Sequence, residues 1–168
     1  MVRWFVVAAV ALSLPACGSS KADPEPVQVR PLLAACLAST DTSAATPAIG
    51  DAAALPWASP DGDQRCATGP AADGDGPLFT NAEQQSLDGA AMASAAFVEG
   101  ADGAFNRLAT ACFNRDDTCP TGTMVVAVAG RIMSVATVQT PSFSGTLQFA
   151  FASATDAEKF TEAVNSGR

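Results

Sequence analysis

The fold is decided by the last third of the chain, residues 101–167, which has the sequence ADGAFNRLATACFNRDDTCPTGTMVVAVAGRIMSVATVQTPSFSGTLQFAFASATDAEKFTEAVNSG. Apolar residues first recur there at the spacing of one helix face: Phe105, Leu108, Ala109 and Cys112. Asp102 precedes them and is predicted to be the N-cap. The stretch therefore begins with a helix that turns Cys112 towards a core.

Three strands are predicted to follow this helix. The apolar run at residues 124–129 and the stretch 131–139 form a hairpin, because Ala129-Gly130 between them is typical of a tight turn. Residues 146–151 alternate between polar and apolar side chains. Their apolar members share one face of the strand: Leu147, Phe149 and Phe151.

A second helix is predicted to close the chain. Residues 155–158 (TDAE) have the pattern of a capping box, and Gly167 is placed to end the helix. Between these two signals, three apolar residues share one helix face: Ala157, Phe160 and Val164.

The part of the chain before residue 101 has weaker patterns. Residues 27–33 favour a strand that Pro31 limits to an edge or a strand end, and residues 38–63 have no sustained period and predict a long loop. A capping-box outline predicts a short helix at 81–87, and residues 90–98 favour a strand. We therefore expect one α+β domain at 27–168: an antiparallel sheet of about four strands with two helices on one face and a long disulfide-tied N-terminal loop region.

The N-terminus predicts export and lipidation. Residues 1–16 combine Arg3 with an apolar run that is too short to cross a bilayer as a mature helix, as in a signal peptide. The sequence around Cys17, LPACGSS, resembles the lipobox of bacterial lipoproteins, in which the cysteine receives the lipid. Residues 17–26 are small and polar and predict a flexible tether. The expected location is the extracytoplasmic face of the cell membrane; a secreted soluble form is the alternative.

Four cysteines remain once Cys17 is assigned to lipid. An even number in an exported chain predicts disulfides, and four cysteines allow three pairings. We favour Cys36 with Cys66, which flank the predicted loop, and Cys112 with Cys119, which flank a predicted turn. A metal site or redox pair is the alternative, but the spacing is not CxxC and the chain has no His.

The charge of the chain argues against two classes of partner. The chain has 168 residues, 9 Lys and Arg against 17 Asp and Glu, and a net charge of −8, which argues against nucleic acid and against electrostatic attraction to an anionic bilayer.

Two acidic turns, at residues 61–63 and 73–76, suggest calcium. They lack the further oxygen ligands and the closing Glu of a calcium loop, so we expect no metal and no cofactor.

The sequence contains no catalytic constellation. With no His, a nucleophile would need a lysine or carboxylate base, and Lys159 is the lysine of the predicted folded part. Asp116 with Asp117 and Glu158 with Glu162 are paired acids, which at such spacings usually belong to a solvated surface. We therefore expect that the protein is not an enzyme.

Five pieces of the chain carry a family resemblance: residues 105–109, 123–128, 130–134, 141–145 and 155–164. In order and spacing they resemble the head subdomain of the first large periplasmic domain of SecD, the protein-export membrane component also found fused as SecDF, with the form in high-GC Gram-positive bacteria most similar. Ala129 and Ala136 depart from the family's usual Asp and Pro. The chain ends at Arg168, where SecD continues into membrane helices, so proton-driven export is not implied.

The resemblance implies a stand-alone, non-catalytic module that contacts other polypeptides and assists protein export or folding. An added β-strand is the expected binding mode, at residues 140–145 or in the loop between Cys36 and Cys66. The alternative is a carrier or sensor of a small apolar ligand, in a cavity lined by aromatic residues and one methionine. Those lining residues are Met133, Phe143, Phe149, Phe151 and Phe160.

Overall fold

The computed structural model describes residues 27–38, 52–72 and 77–167. The predicted signal peptide, Cys17 and the tether lie outside these residues. The described part is α+β, as predicted, with strands β1 (Val27–Pro31), β2 (Leu37–Ala38), β3 (Ala53–Ser59), β4 (Gly62–Thr68), β5 (Phe79–Leu87), β6 (Ala90–Phe97), β7 (Thr123–Val128), β8 (Arg131–Thr137) and β9 (Thr146–Phe151), and helices α1 (Asp102–Asn114) and α2 (Ala154–Ser166).

The strands form two sheets, so the prediction of one sheet of about four strands was wrong. One sheet has six strands in the order β1-β7-β8-β3-β4-β2, and the other has three in the order β5-β6-β9. The count was too low because β3 and the start of β4 lie in the predicted loop at 38–63, and β5 contains the predicted helix at 81–87.

The six-stranded sheet closes on itself around a small core. β1 pairs with β7. The residues that follow β1 pair with β4: Leu32 bridges Thr68, and β2 then pairs with Gln64 and Arg65. β3 and β8 are joined by a single parallel residue pair, Trp57 with Ile132. The enclosed apolar residues are Leu32, Leu55, Cys66, Val125, Ala127 and Ile132.

Strand β7 is buried on both of its faces. Val125 and Ala127 face the small core, and Met124, Val126 and Val128 face a larger one. Successive side chains of a strand point to opposite faces, so a strand covered on both sides needs an uninterrupted apolar sequence. This explains why residues 124–128 are all apolar.

The larger core lies between β1, β7 and β8 of the closed sheet, the three-stranded sheet, and both helices. Helix α1 contacts β1 and β7, and α2 packs on β5, β6 and β9. The predicted buried faces of both helices are confirmed, with Phe105, Leu108, Ala109 and Cys112 on α1 and Ala157, Phe160 and Val164 on α2. Burying a ring such as that of Phe160, which is fully buried, contributes roughly 1.5–3 kcal/mol.

Two predicted N-caps were wrong, whereas the predicted end of α2 at Gly167 is confirmed. Helix α1 starts one residue earlier than predicted, with Ala101 as a cap that makes no side-chain bond. Helix α2 is capped by Ser153, whose Oγ accepts a hydrogen bond from the Asp156 backbone N–H at 3.1 Å, two residues before the predicted capping box. The serine fits because an N-cap oxygen accepts from the third residue of the helix.

The predicted long loop at 38–63 contains most of a hairpin, β3–β4, while residues 39–51 lie outside the described residues. Its turn is Pro60-Asp61, and the Ser59 hydroxyl donates to the Gly62 carbonyl at 2.8 Å and accepts from the Asp61 N–H at 3.2 Å. Pro56 lies within β3. This proline is the reason that the sequence argued against a strand here, because proline cannot donate a backbone hydrogen bond.

The predicted helix at 81–87 is strand β5, paired with β6. Its pairing is irregular between Thr80 and Glu83, and Asn81 there has a positive φ of 52°. The local capping pattern was misleading because pairing with β6 decides the conformation of this stretch. The strand predicted at 90–98 is confirmed as β6.

Candidate docking edge

Both predicted disulfides are present. Cys36 bonds to Cys66 and Cys112 to Cys119, with Cα–Cα distances of 4.2 Å and 4.7 Å. Because Leu37 pairs with Arg65, the first disulfide joins the residue before β2 to the neighbouring strand β4. The second ties the end of α1 to the loop that follows it. Both therefore fix the scaffold.

The segment 140–145, one of the two predicted docking surfaces, is held against α1. The Asn106 side chain donates to the Phe143 carbonyl at 2.9 Å and accepts from the Phe143 N–H at 2.8 Å, and Thr110 Oγ1 donates to the Pro141 carbonyl at 3.0 Å. The Phe143 ring packs edge-on against Phe105, with centroids 5.5 Å apart. Backbone groups that an added strand would need are thus engaged at Phe143.

The other predicted surface, between Cys36 and Cys66, contains the β3–β4 hairpin. Its strands pair with each other, with β2 and with β8, so much of their backbone is already used. Leu37, at the start of the segment, is the most exposed of the large apolar side chains in the described residues, at 73%.

A third surface, the outer edge of β5, was missed in the sequence. β5 ends the three-stranded sheet, so within the described residues no strand pairs with its outer side. We call residues 83–87 of this strand the β5 edge; every one of them is exposed. An open strand edge presents a row of N–H and C=O groups that can pair with another chain.

The turn at the end of the β5 edge defines which backbone groups point outward. Asp88 and Gly89 have φ values of 52° and 82°, as in a type I′ two-residue hairpin turn. In such a hairpin the pair next to the turn, Leu87 with Ala90, is hydrogen-bonded, and the pairs alternate from there. The N–H and C=O groups of Gln84 and Ser86 therefore point away from β6.

The next outward residue along β5 is already occupied. Asn165, near the end of α2, donates from Nδ2 to the Ala82 carbonyl at 2.9 Å and accepts at Oδ1 from the Ala82 N–H at 3.2 Å. This side chain bonds to Ala82 as a neighbouring strand would. Within the described residues, the outward groups of Gln84 and Ser86 have no such partner.

Side chains on the outer face of the β5 edge differ along its length. Glu83, Gln85 and Leu87 share the face that is turned away from the larger core, because Gln84 pairs with Ala93, which is in that core. Gln85 donates to the Ser94 hydroxyl at 3.0 Å, whereas Leu87 is 57% exposed. The face thus has a carboxylate at one end and an apolar side chain at the other.

Other chemistries find little support in the described residues. They contain no group of three or more His, Cys, Asp and Glu residues placed to hold a metal ion. The paired acids Asp116 with Asp117 and Glu158 with Glu162 are exposed, and so is Lys159.

The aromatic residues predicted to line a cavity pack against one another. The Phe160 ring lies 5.1 Å from Phe149 and 5.4 Å from Phe151, between centroids. An open depression of about 400 Å³ lies elsewhere, between α1 and residues 70–72, and has Arg107 and Asp116 among its lining residues.

One buried charge was not anticipated. The Arg30 side chain is fully buried and, by strand alternation with Val29, lies on the small-core side of β1. Its Nε donates to Gln28 Oε1 at 2.8 Å and its Nη1 to the Gly69 carbonyl at 3.0 Å. Arg30 therefore fastens the segment after β4 to β1 and is inaccessible to a ligand.

Neither helix of the described part is long and apolar enough to span a bilayer. No protein-family model matches the chain, and no curated protein is significantly similar to it. The candidate site therefore rests on the geometry of the β5 edge.

Proposed function

We propose that the protein is a lipoprotein of the cell envelope that acts as a non-catalytic polypeptide-binding module, resembling the SecD head subdomain and assisting protein export or folding. The observation that carries this proposal is the open β5 edge, with four outward backbone groups on Gln84 and Ser86. An extended chain can add to such an edge through main-chain hydrogen bonds. An emerging or unfolded exported chain supplies such segments.

The two disulfides support an extracytoplasmic location, since disulfides persist in oxidising compartments. Cys17 is the proposed lipid attachment site, and two or more acyl chains give stable membrane anchoring. Metabolic labelling with a fatty-acid analogue should mark the wild-type protein and leave Cys17→Ala unlabelled. Equal labelling of both would refute the anchor and leave the binding proposal to its own test.

Binding at the edge is tested with Ser86→Pro. Proline removes the outward N–H of Ser86 without removing a β5–β6 hydrogen bond, so folding should be retained while binding is lost. The probe is an extended nine-residue peptide of alternating Thr and Val, followed by fluorescence anisotropy. Ala154→Pro, at the first position of α2 where proline is favoured and the preceding Ser153 is already extended, is the matched control and should bind normally.

Amide hydrogen exchange in the unmodified protein gives an independent measurement. Added peptide should slow exchange at Gln84 and Ser86, whereas the amides of residues 140–145 should be unaffected. Protection that appears elsewhere and spares Gln84 and Ser86 would contradict the proposed site, even if Ser86→Pro proved to be unfolded.

A further inference from the structure

We infer that the β5 edge selects cationic extended segments, with a basic residue placed opposite Glu83 and an apolar residue opposite Leu87. This inference rests on the proposed function and specifies the class of polypeptide that the edge binds.

The free part of the edge has defined ends. Asn165 occupies the outward groups of Ala82 on one side, and the Asp88-Gly89 turn ends the strand on the other. A docked segment can therefore form main-chain hydrogen bonds with Gln84 and Ser86 only, so its register is tightly restricted. A restricted register lets the side chains of the edge discriminate between sequences.

Both ends of the free edge carry exposed carboxylates, Glu83 within the strand and Asp88 in the turn. The chain as a whole has a net charge of −8. Opposite charges directly across two strands attract, and like charges repel. A segment with Lys or Arg is therefore favoured over an acidic one, and the net charge of −8 opposes docking of a second copy of this chain.

The spacing on the docked segment follows from strand geometry. Glu83 and Leu87 are four residues apart on the outer face, and the strands of an antiparallel pair run in opposite directions. The apolar residue of the docked segment should therefore precede its basic residue by four positions.

The experiment compares three nine-residue peptides on the full chain, each with alternating Thr and Val elsewhere. The first has Leu followed four positions later by Lys, the second has Lys before Leu, and the third replaces Lys by Glu. We expect the first to bind about two- to fivefold more tightly than the second, and more tightly still than the third, as a surface cross-strand ion pair allows. Added salt should reduce both differences.

Glu83→Gln should remove the preference for the first peptide over the second and weaken the preference for Lys over Glu, because Asp88 and the net charge remain. Glu99→Gln is the matched control, because Glu99 is also exposed but follows the opposite end of β6, and it should retain the preference. If all three peptides bound equally and Ser86→Pro abolished that binding, the charge selection would be overturned and the proposed function would stand. Binding of none of them would refute both.

The oligomeric state is measured in parallel by light scattering after size exclusion. A monomer is expected for the wild type. A dimer that Ser86→Pro converts to a monomer would assign the edge to a second copy and overturn the inference.

Discussion

Replacing Asn165 by Ala should weaken the fold and strengthen polypeptide binding at the same time. Asn165 makes two hydrogen bonds to the backbone of Ala82, at 2.9 Å and 3.2 Å. Each such bond contributes roughly 0.5–1.5 kcal/mol net, so their loss costs about 1–3 kcal/mol. The better helix propensity of Ala offsets up to about 0.7 kcal/mol. We therefore expect the free energy of unfolding to fall by about 0.3–2.3 kcal/mol when the full offset applies.

The same change exposes the N–H and C=O groups of Ala82 to an incoming chain. A docked segment could then bond to three outward residues instead of two. We expect its affinity to rise about fivefold to 150-fold, since two added hydrogen bonds of ordinary strength contribute about 1–3 kcal/mol. Urea unfolding followed by circular dichroism measures the first effect, and peptide anisotropy measures the second.

Asn106→Ala is the matched control. Asn106 also makes two backbone hydrogen bonds from a helix, to Phe143, at 2.8 Å and 2.9 Å. Its loss should destabilise the protein to a similar extent without changing peptide affinity, because Phe143 is not on the β5 edge. If Asn165→Ala left affinity unchanged or lowered it, or if both variants raised it equally, the argument that Asn165 limits the edge would be refuted.

Three further changes test the scaffold. Replacing Cys36 and Cys66 together by Ala should lower the free energy of unfolding by roughly 3.5 kcal/mol by the loop-closure estimate for their separation of 30 residues, measured by urea unfolding; a loss below about 1 kcal/mol would contradict it. Phe160→Ala should cost about 3–5 kcal/mol, because its fully buried ring contacts several others; a small shift in the thermal midpoint would show that the core relaxes. Ala129→Gly should add about 0.5–1 kcal/mol in urea unfolding, since Ala129 has a positive φ of 49°; a destabilised variant would show that no strain is relieved.

The C-terminal third could be predicted because its patterns are local and complete. Helix α1 shows its buried face at the expected spacing, and Ala129-Gly130 forms the expected turn, with both residues at positive φ. In β9, Leu147, Phe149 and Phe151 pack on the larger core, as the alternation indicated. These signals agree with the tertiary structure, so no longer-range information was needed.

The errors lie where pairing with another strand, and not the pattern within the segment, decides the conformation. Residues 80–83 have a capping pattern, but β5 is stabilised by β6 and by Asn165, 83 residues away from Ala82. One local signal does indicate the hairpin: Asp88-Gly89 is typical of a type I′ turn between two strands.

The candidate edge could not be found from sequence, because an edge is defined by what lies beside it. Gln84 and Ser86 have unremarkable side chains, and their importance comes from β5 being the last strand of its sheet. Segment 140–145 shows the reverse. It has the composition of an exposed loop and is exposed except at Phe143, yet Asn106 and Thr110 hydrogen-bond its backbone to α1.

The inferred selectivity of the β5 edge depends on acidic residues in positions where lysine would favour a different class of partner. Natural proteins often protect open edges with Lys, Pro or an irregular pairing. Here the irregular pairing and Asn165 protect the first part of β5, while Glu83 and Asp88 flank the part that stays open. Acidic residues discourage pairing with other copies of a chain whose net charge is −8, but they favour cationic segments. On the proposed function, the edge stays open without self-association and accepts a polypeptide of opposite charge.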